Sequence, residues 1–189
     1  MKRKKLGIHS LGKFYSSEVW VEYELKNDQK FSFSFFIPQC DFQIRPDQLS
    51  LAFNKKTFKG NWGLWEKRPV LEVFLQKRTN SDDHQVPYIE FQISPEEEYF
   101  LATVHKIRQV YSSFLDFSVK SAIEEKDDEY LKVSVEMDLS CFEGEMGDWY
   151  GNFYMILPSH EPGEPSIYAG VQLDQKKLDF HLPRIFKRL

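Results

Sequence analysis

The sequence is poor in cysteine, with Cys40 and Cys141 as the only two among 189 residues. Two cysteines can form one disulfide at most, which excludes the disulfide framework that holds many small secreted domains together. Neither belongs to a CxxC pair, and no two histidines have HxH or HExxH spacing, so no single element carries a metal site. We therefore expect free thiols and neither a metal nor another cofactor.

Long apolar runs are also absent, and none approaches the ~18 residues of a membrane helix. The basic residues Lys2–Lys5 are not followed by the ~7–15 apolar residues of a secretory signal, and we expect this terminus to be solvated and frayed. The net charge of -4 gives no basic surface for nucleic acid. These absences predict a cytoplasmic protein that binds neither a membrane nor nucleic acid.

Aromatic residues are abundant, at 16% of the chain, and they suit pleated, half-buried surfaces. Apolar and polar residues alternate most clearly where Phe31, Phe33 and Phe35 enclose Ser32 and Ser34. Further strand-like segments lie at 19–25, 49–53, 70–76, 88–94, 98–104, 115–123, 131–137, 149–157 and 167–173.

Many short strands without a long amphipathic helix predict an all-β fold. We expect a two-sheet antiparallel β-sandwich of the jelly-roll or immunoglobulin-like type. It should contain roughly nine to eleven strands and one or two short helical turns. No repeat or linker divides the chain. We therefore expect one domain over residues 18–189, preceded by an N-terminal extension over residues 1–17.

A loop with two tryptophans, Trp62 and Trp65, precedes the segment that begins at Val70. Aromatic rings on loops can stack on the apolar face of a sugar or on another flat ligand. The alternative is that both rings cap the end of the core.

Polar residues follow on two strands. Alternation places Glu72 on the same face as Val70 and Phe74, and it places Tyr88, Glu90 and Gln92 together on one face of the next strand. If these strands are neighbours, the four polar side chains form a patch that can hydrogen-bond ligand hydroxyls. The alternative is an ordinary solvent-facing side of an antiparallel sheet.

His181 lies between Phe180 and Pro183 near the C-terminal end. It either contacts a ligand or forms a hydrogen bond that fixes the terminal segment. A glycosidase pair of Glu72 and Glu90 is the less favoured interpretation, because acidic residues are common in the sequence. We expect no enzymatic activity.

Three segments, 64–75, 87–95 and 179–189, together resemble the DOMON-like superfamily, in the branch similar to family 9 carbohydrate-binding modules. The resemblance implies a β-sandwich that binds carbohydrate without catalysis. Two aromatic rings would clamp a terminal sugar, and a glutamate would bond its hydroxyls. It implies that Trp65 is one clamp ring, that Glu72 is the glutamate and that Glu90 or Gln92 lies near a further polar position. Tyr168 and Phe180 are the candidates for the second ring.

Two alternatives remain. Other DOMON-like proteins bind haem through methionine and histidine, and the candidate ligands here are Met137, Met146, Met155, His84, His105, His160 and His181. The third possibility is an intracellular accessory domain that binds a protein partner and no sugar. A large exposed apolar surface would favour that function.

Overall fold

The structure is a computed structural model that describes residues 1–10, 13–26, 29–38, 70–79, 87–94, 99–106, 110–113, 119–126, 130–140, 147–157, 166–170 and 181–189. These ranges contain twelve strands: β1 (Lys2–Ser10), β2 (Lys13–Lys26), β3 (Lys30–Pro38), β4 (Val70–Arg78), β5 (Tyr88–Ile93), β6 (Tyr99–Lys106), β7 (Val110–Ser113), β8 (Val119–Lys126), β9 (Tyr130–Asp138), β10 (Asp148–Leu157), β11 (Ser166–Ala169) and β12 (Lys187–Arg188). A short 3-10 helix spans Pro183–Ile185. No helix within the described ranges is long and apolar enough to cross a membrane.

The strands form one antiparallel sheet in the order β7-β6-β5-β4-β10-β11-β1-β2-β3-β9-β8, and β12 pairs with β10. The sheet curls into two layers. β3 and β5 are six strand-to-strand steps apart, about 29 Å in a flat sheet, yet the rings of Phe33 and Phe91 have centroids 5.9 Å apart. The predicted all-β sandwich is confirmed.

The main core lies between the two layers. The first layer comprises β4, β5, β6, β7, β10 and β11, and the second comprises β1, β2, β3, β8 and β9. Phe153 of β10 reaches across to the second layer, with its ring centroid 4.9 Å from that of Tyr23 and 6.2 Å from that of Phe35. On β3 the apolar side of the alternation, Phe31, Phe33 and Phe35, is buried in this core.

The N-terminal residues do not fray. Residues 2–10 form β1, which pairs with β2 on one side and with β11 on the other. The frayed terminus expected from residues 2–5 is therefore wrong, because their backbone pairs with β2 and because Arg3 and Lys5 form ion pairs with Glu22 and Glu18 of that strand. The boundary expected at residue 18 falls inside β2.

The other sequence-based strands correspond to elements of the sheet. The hairpin predicted from 88–94 and 98–104 is formed by β5 and β6, and the partnership of 149–157 with 167–173 is formed by β10 and β11. β7 was not anticipated. The expected strand at 49–53 and both cysteines, Cys40 and Cys141, lie outside the described residues.

A second, smaller apolar cluster covers the outer side of the first layer. It consists of Phe74, Tyr88, Val104, Tyr150, Tyr154, Ile167, Ala169 and Phe186. Phe186 comes from the C-terminal segment, defined here as residues 181–189. This segment lies over β4 and β5 at Phe186, whose ring centroid is 6.0 Å from that of Phe74 and 5.7 Å from that of Tyr88. The outer side of the first layer is therefore a buried face as well.

Candidate ligand-binding site

β4 and β5 are adjacent, and their pairing brings the predicted polar residues together. Glu72 lies directly opposite Gln92, and Phe74 lies opposite Glu90. On its other side Glu72 faces Tyr154 of β10. Because Glu90 is two residues from Gln92, it shares the face of Glu72 as a diagonal neighbour, within reach of a long side chain. We call Glu72, Glu90 and Gln92 the acceptor cluster.

The acceptor cluster is buried rather than solvated. Glu72 is 0% exposed, Glu90 is 2% exposed and Gln92 is 5% exposed. The alternative of an ordinary solvent-facing side is therefore wrong for this part of the sheet. Ionisable side chains are almost never fully buried without partners, which makes the hydrogen bonding of this cluster informative.

The hydrogen bonds inside the cluster leave several atoms unsatisfied. Gln92 Nε2 donates to Glu90 Oε1 at 2.8 Å. Four buried oxygens have no hydrogen-bond partner: Glu72 Oε1, Glu72 Oε2, Glu90 Oε2 and Gln92 Oε1. An unsatisfied buried polar atom costs about 1–3 kcal/mol, and more where the group is charged. Four on one face form a site that a donor-rich molecule would satisfy.

Burial also changes the ionisation of both carboxyls. Desolvation raises the pKa of Glu72 well above its ordinary value of 4.5, and the nearby Glu90 carboxyl raises it further. Desolvation raises the pKa of Glu90 to about 7, against the opposing effect of the hydrogen bond from Gln92. The two carboxyls therefore do not both carry a full charge in the empty site at neutral pH.

His181 borders the cluster from the C-terminal segment. Its Nδ1 atom shares a hydrogen bond of 2.9 Å with the hydroxyl of Tyr88 and lies 3.7 Å from Glu90 Oε2. Its ring packs edge-on against Phe74, with centroids 5.3 Å apart. A hydrogen bond that fixes the terminal segment and a ligand contact are thus compatible roles for His181, since it bonds Tyr88 and also lies beside the Glu90 carboxyl.

The sequence reasoning missed a second polar group on the same face. Arg78 is 1% exposed, and its Nε donates to Gln76 Oε1 at 2.8 Å. Its Nη2 donates to the carbonyl of Pro183, and its guanidinium lies 4.4 Å from the ring centroid of Tyr150. The sequence could have indicated this group, because Gln76 and Arg78 continue the even-numbered alternation that begins with Glu72 and therefore share its face.

Asn152 is another buried polar residue that was missed. It lies on β10 directly opposite Phe74, and its Nδ2 donates to the hydroxyl of Tyr154 at 2.9 Å. Its Oδ1 accepts from the backbone N–H of Phe153. Asn152 therefore extends the polar content of the face to the strand on the other side of β4.

The described residues include only one of the aromatic residues predicted to form the clamp. Tyr168 lies on the opposite face of the first layer, where it belongs to the main core, so the structure does not bring it together with the acceptor cluster. The physical reason is alternation: Ile167 and Ala169 occupy the outer side of β11, and Tyr168 must point inward. Trp62, Trp65 and Phe180 lie outside the described residues.

The residues considered for haem do not meet in the described part of the chain. Met137 and Met155 are buried in the main core, whereas His181 packs against the outer side of the first layer. His105 is exposed, and Met146, His84 and His160 lie outside the described residues. Within these ranges no group of three or more His, Cys, Asp or Glu side chains could hold a metal ion.

Exposed apolar side chains are scarce on the described surface. Among the residues whose side chains the structure describes, Met1 at 80% and Tyr99 at 38% are the exposed large hydrophobic residues. This part of the protein therefore presents no extended apolar surface that would favour a protein partner over a small ligand.

Comparison with known proteins gives a structural likeness. No protein-family model and no curated protein matches the chain. The fold is similar to a solved family 9 carbohydrate-binding module from Caldicellulosiruptor kristjanssonii in complex with glucose, at 12% sequence identity and a TM-score of 0.48. The match covers 92% of this chain and 76% of that one. The sandwich and the site described above depend on the strand pairing of this chain alone.

Proposed function

We propose that this protein is a non-catalytic binding module that holds a carbohydrate-like ligand against the outer side of β4 and β5. The observation that carries the proposal is the acceptor cluster, in which four buried oxygens have no hydrogen-bond partner. A polyhydroxylated ligand supplies the missing donors, because each hydroxyl can donate to one of these oxygens.

The rigidity of the site supports recognition. Glu72, Glu90 and Gln92 are held on paired strands, so their positions are set by the sheet rather than by a loop. Each bond from a ligand hydroxyl to an ionised carboxylate contributes about 1.5–3 kcal/mol. Two such bonds are enough to discriminate strongly between ligands with and without a correctly placed hydroxyl.

Aromatic stacking is the second part of the proposal. Trp65 provides one ring, with Trp62 and Phe180 as further candidates, and none of these side chains is among the described residues. Phe74, Tyr88 and Tyr154 contribute buried aromatic surface beside the acceptor cluster. Sugars present apolar ring faces and polar edges, so a site of rings and acceptors matches both.

The placement of the two carboxyls supports binding rather than hydrolysis. A glycosidase needs carboxyls that flank the scissile bond, one acting on the leaving oxygen and the other on the opposite side of the sugar. Glu72 and Glu90 project from the same face of adjacent strands. They would therefore contact a ligand from one side, as binding residues do.

The test is a saccharide array followed by calorimetry with the sugars that bind. We expect the wild-type protein to bind at least one saccharide, and Glu72→Gln to weaken that binding at least tenfold because one acceptor becomes a donor. Glu18→Gln is the matched control, since Glu18 lies on β2 in the other layer and pairs with Lys5 at the surface. A wild-type protein that binds no saccharide would sink the proposal.

A further inference from the structure

The acceptor cluster has an unusual chemical bias. Its four unsatisfied atoms are all oxygens, and three of them belong to carboxyl groups. A neutral hydroxyl both donates and accepts, so it brings an acceptor of its own to this surface. A primary ammonium group has three donors and no acceptor. The cluster is therefore more complementary to an ammonium group than to a hydroxyl.

The charges around the acceptor cluster also favour an ammonium group. Within the described residues, His181 is the only basic side chain within 4 Å of either carboxyl, and it approaches Glu90 alone. Arg78 shares the face, but it is six residues from Glu72 along β4, about 20 Å away. It is engaged instead by Gln76 and Pro183. Among the described residues, no buried cation forms an ion pair with Glu72.

Few ionisable groups of the described residues share the face of the two carboxyls. The titratable or charged side chains on the described elements around them are Arg78 on β4, Tyr88 on β5, Tyr150 and Tyr154 on β10 and His181 on the C-terminal segment. The residues of β6 on this side, Phe100, Ala102 and Val104, are apolar. A positive charge at the cluster would thus have two acidic partners and little competition.

We propose that the ligand bound by this site carries a protonated primary amine, as an amino sugar does, and that Glu72, Glu90 and Gln92 receive its three N–H donors. The inference rests on the proposed binding function, which it narrows to cationic ligands. An ammonium group placed between two carboxylates offsets their mutual repulsion, and the buried surroundings strengthen each interaction.

This assignment predicts that the carboxyl pair releases a proton when the ligand binds. In the empty site the carboxyl pair retains a proton at neutral pH, because burial raises the pKa of both groups. An incoming ammonium favours two carboxylates, so about one proton leaves to solvent for each ligand bound. Affinity should therefore rise with pH through about 7, the pKa of Glu90, until the ligand amine itself loses its proton.

The experiment compares matched sugars by calorimetry at pH 7 in phosphate and in Tris, whose ionisation enthalpies differ. The probes are glucosamine, galactosamine and mannosamine, each against its parent hexose and its N-acetyl derivative. We expect one amino sugar to bind at least tenfold more tightly than its parent and to release about one proton. We expect the parent and the N-acetyl derivative to release none.

The outcomes separate the two proposals. If a parent hexose binds as tightly as its amino sugar, the amine inference is wrong and the carbohydrate module stands. If none of these sugars and no saccharide on the array binds, both fail. As a second measurement, Glu90→Gln should reduce the proton release while Glu18→Gln preserves it. Circular dichroism of each variant identifies any loss of folding.

Discussion

His181 Nδ1 lies 3.7 Å from Glu90 Oε2, and this contact joins the C-terminal segment to β5, which comes much earlier in the chain. The same nitrogen shares a hydrogen bond with the Tyr88 hydroxyl, and Arg78 binds the carbonyl of Pro183 two residues further on. The terminal segment is therefore attached at two places to the face that carries the acceptor cluster, and changes in that segment should affect the site.

The buried carboxyls should make the protein less stable as pH rises. The pKa of Glu90 is about 7 in the folded protein against an ordinary 4.5, so between these values the folded state holds a proton that the unfolded chain has lost. The stabilisation is complete below about 4.5 and is lost as pH rises through 7. We expect the free energy of unfolding to fall by on the order of 3 kcal/mol between pH 4.5 and pH 8.

Urea denaturation across that pH range measures this effect. Glu90→Gln should flatten the pH dependence and stabilise the protein at pH 8, since a neutral amide does not ionise. Glu18→Gln should leave the profile of the wild type unchanged, because its carboxyl is on the surface. A wild-type profile that rises from pH 5 to pH 8 would contradict the prediction.

Arg78 should be a strong contributor to stability. Its replacement in Arg78→Met removes the buried donors to Gln76 Oε1 and to the Pro183 carbonyl, although that carbonyl still accepts from the backbone N–H of Phe186. We expect a loss of about 2–4 kcal/mol in the free energy of unfolding. Arg78→Lys should lose less, because it keeps the charge but not the two-sided hydrogen bonding.

Arg188 provides the comparison for Arg78. It donates to Asp148 at 2.9 Å, but its side chain is 67% exposed, so Arg188→Met should cost less than about 1 kcal/mol. Equal losses for the Arg78 and Arg188 variants would show that burial of the guanidinium does not decide its contribution.

Two glycines should respond differently to the same added methyl group. A Cβ at Gly151 would lie 2.6 Å from the backbone oxygen of Phe74, which cannot move without shifting β4. A Cβ at Gly170 would meet the side-chain Oδ1 of Asn152 at 2.8 Å, and a side chain can turn away. We expect Gly151→Ala to cost about 1–3 kcal/mol in a thermal or urea melt and Gly170→Ala to cost less. The reverse order would refute this account of β4.

Ligand binding should be visible in tryptophan fluorescence. Trp149 is buried in the main core, and Trp20 stacks on Phe36 of β3 with ring centroids 4.8 Å apart, so neither borders the acceptor cluster. A signal that follows saccharide binding should therefore come from Trp62 or Trp65. We expect Trp65→Phe to lose most of the change and at least tenfold in affinity, whereas Trp20→Phe should retain both. A full signal in the Trp65 variant would remove Trp65 from the site.

Local alternation predicted much of the fold. The pattern around Phe31 assigned both the strand and its buried face, and the pattern from Val70 to Phe74 assigned the strand, because a period of two is a property of the segment itself. The pairings of β4 with β10 and of β1 with β11 join distant segments, and no local pattern encodes them. β1 was missed for a related reason, since its basic residues are typical of a free terminus.

The shared face of the acceptor cluster was predictable from the sequence, but its burial was not. Alternation placed Glu72, Glu90 and Gln92 on one face, as the structure has them. Their burial could not be foreseen, because polar residues at alternate positions usually indicate a solvated face and the covering elements come from remote parts of the chain. The same remoteness concealed the contact between Tyr88 and His181.

The position of β1 between β2 and β11 also governs when the sheet can close. During synthesis the first strand can pair with β2 early, yet its other edge stays open until residues 166–169 have been made. Contacts of such large sequence separation are slow to form, and the uncovered edge is a site for wrong pairing in the meantime. We expect nascent chains that stop short of β11 to be recognised by chaperones rather than to fold.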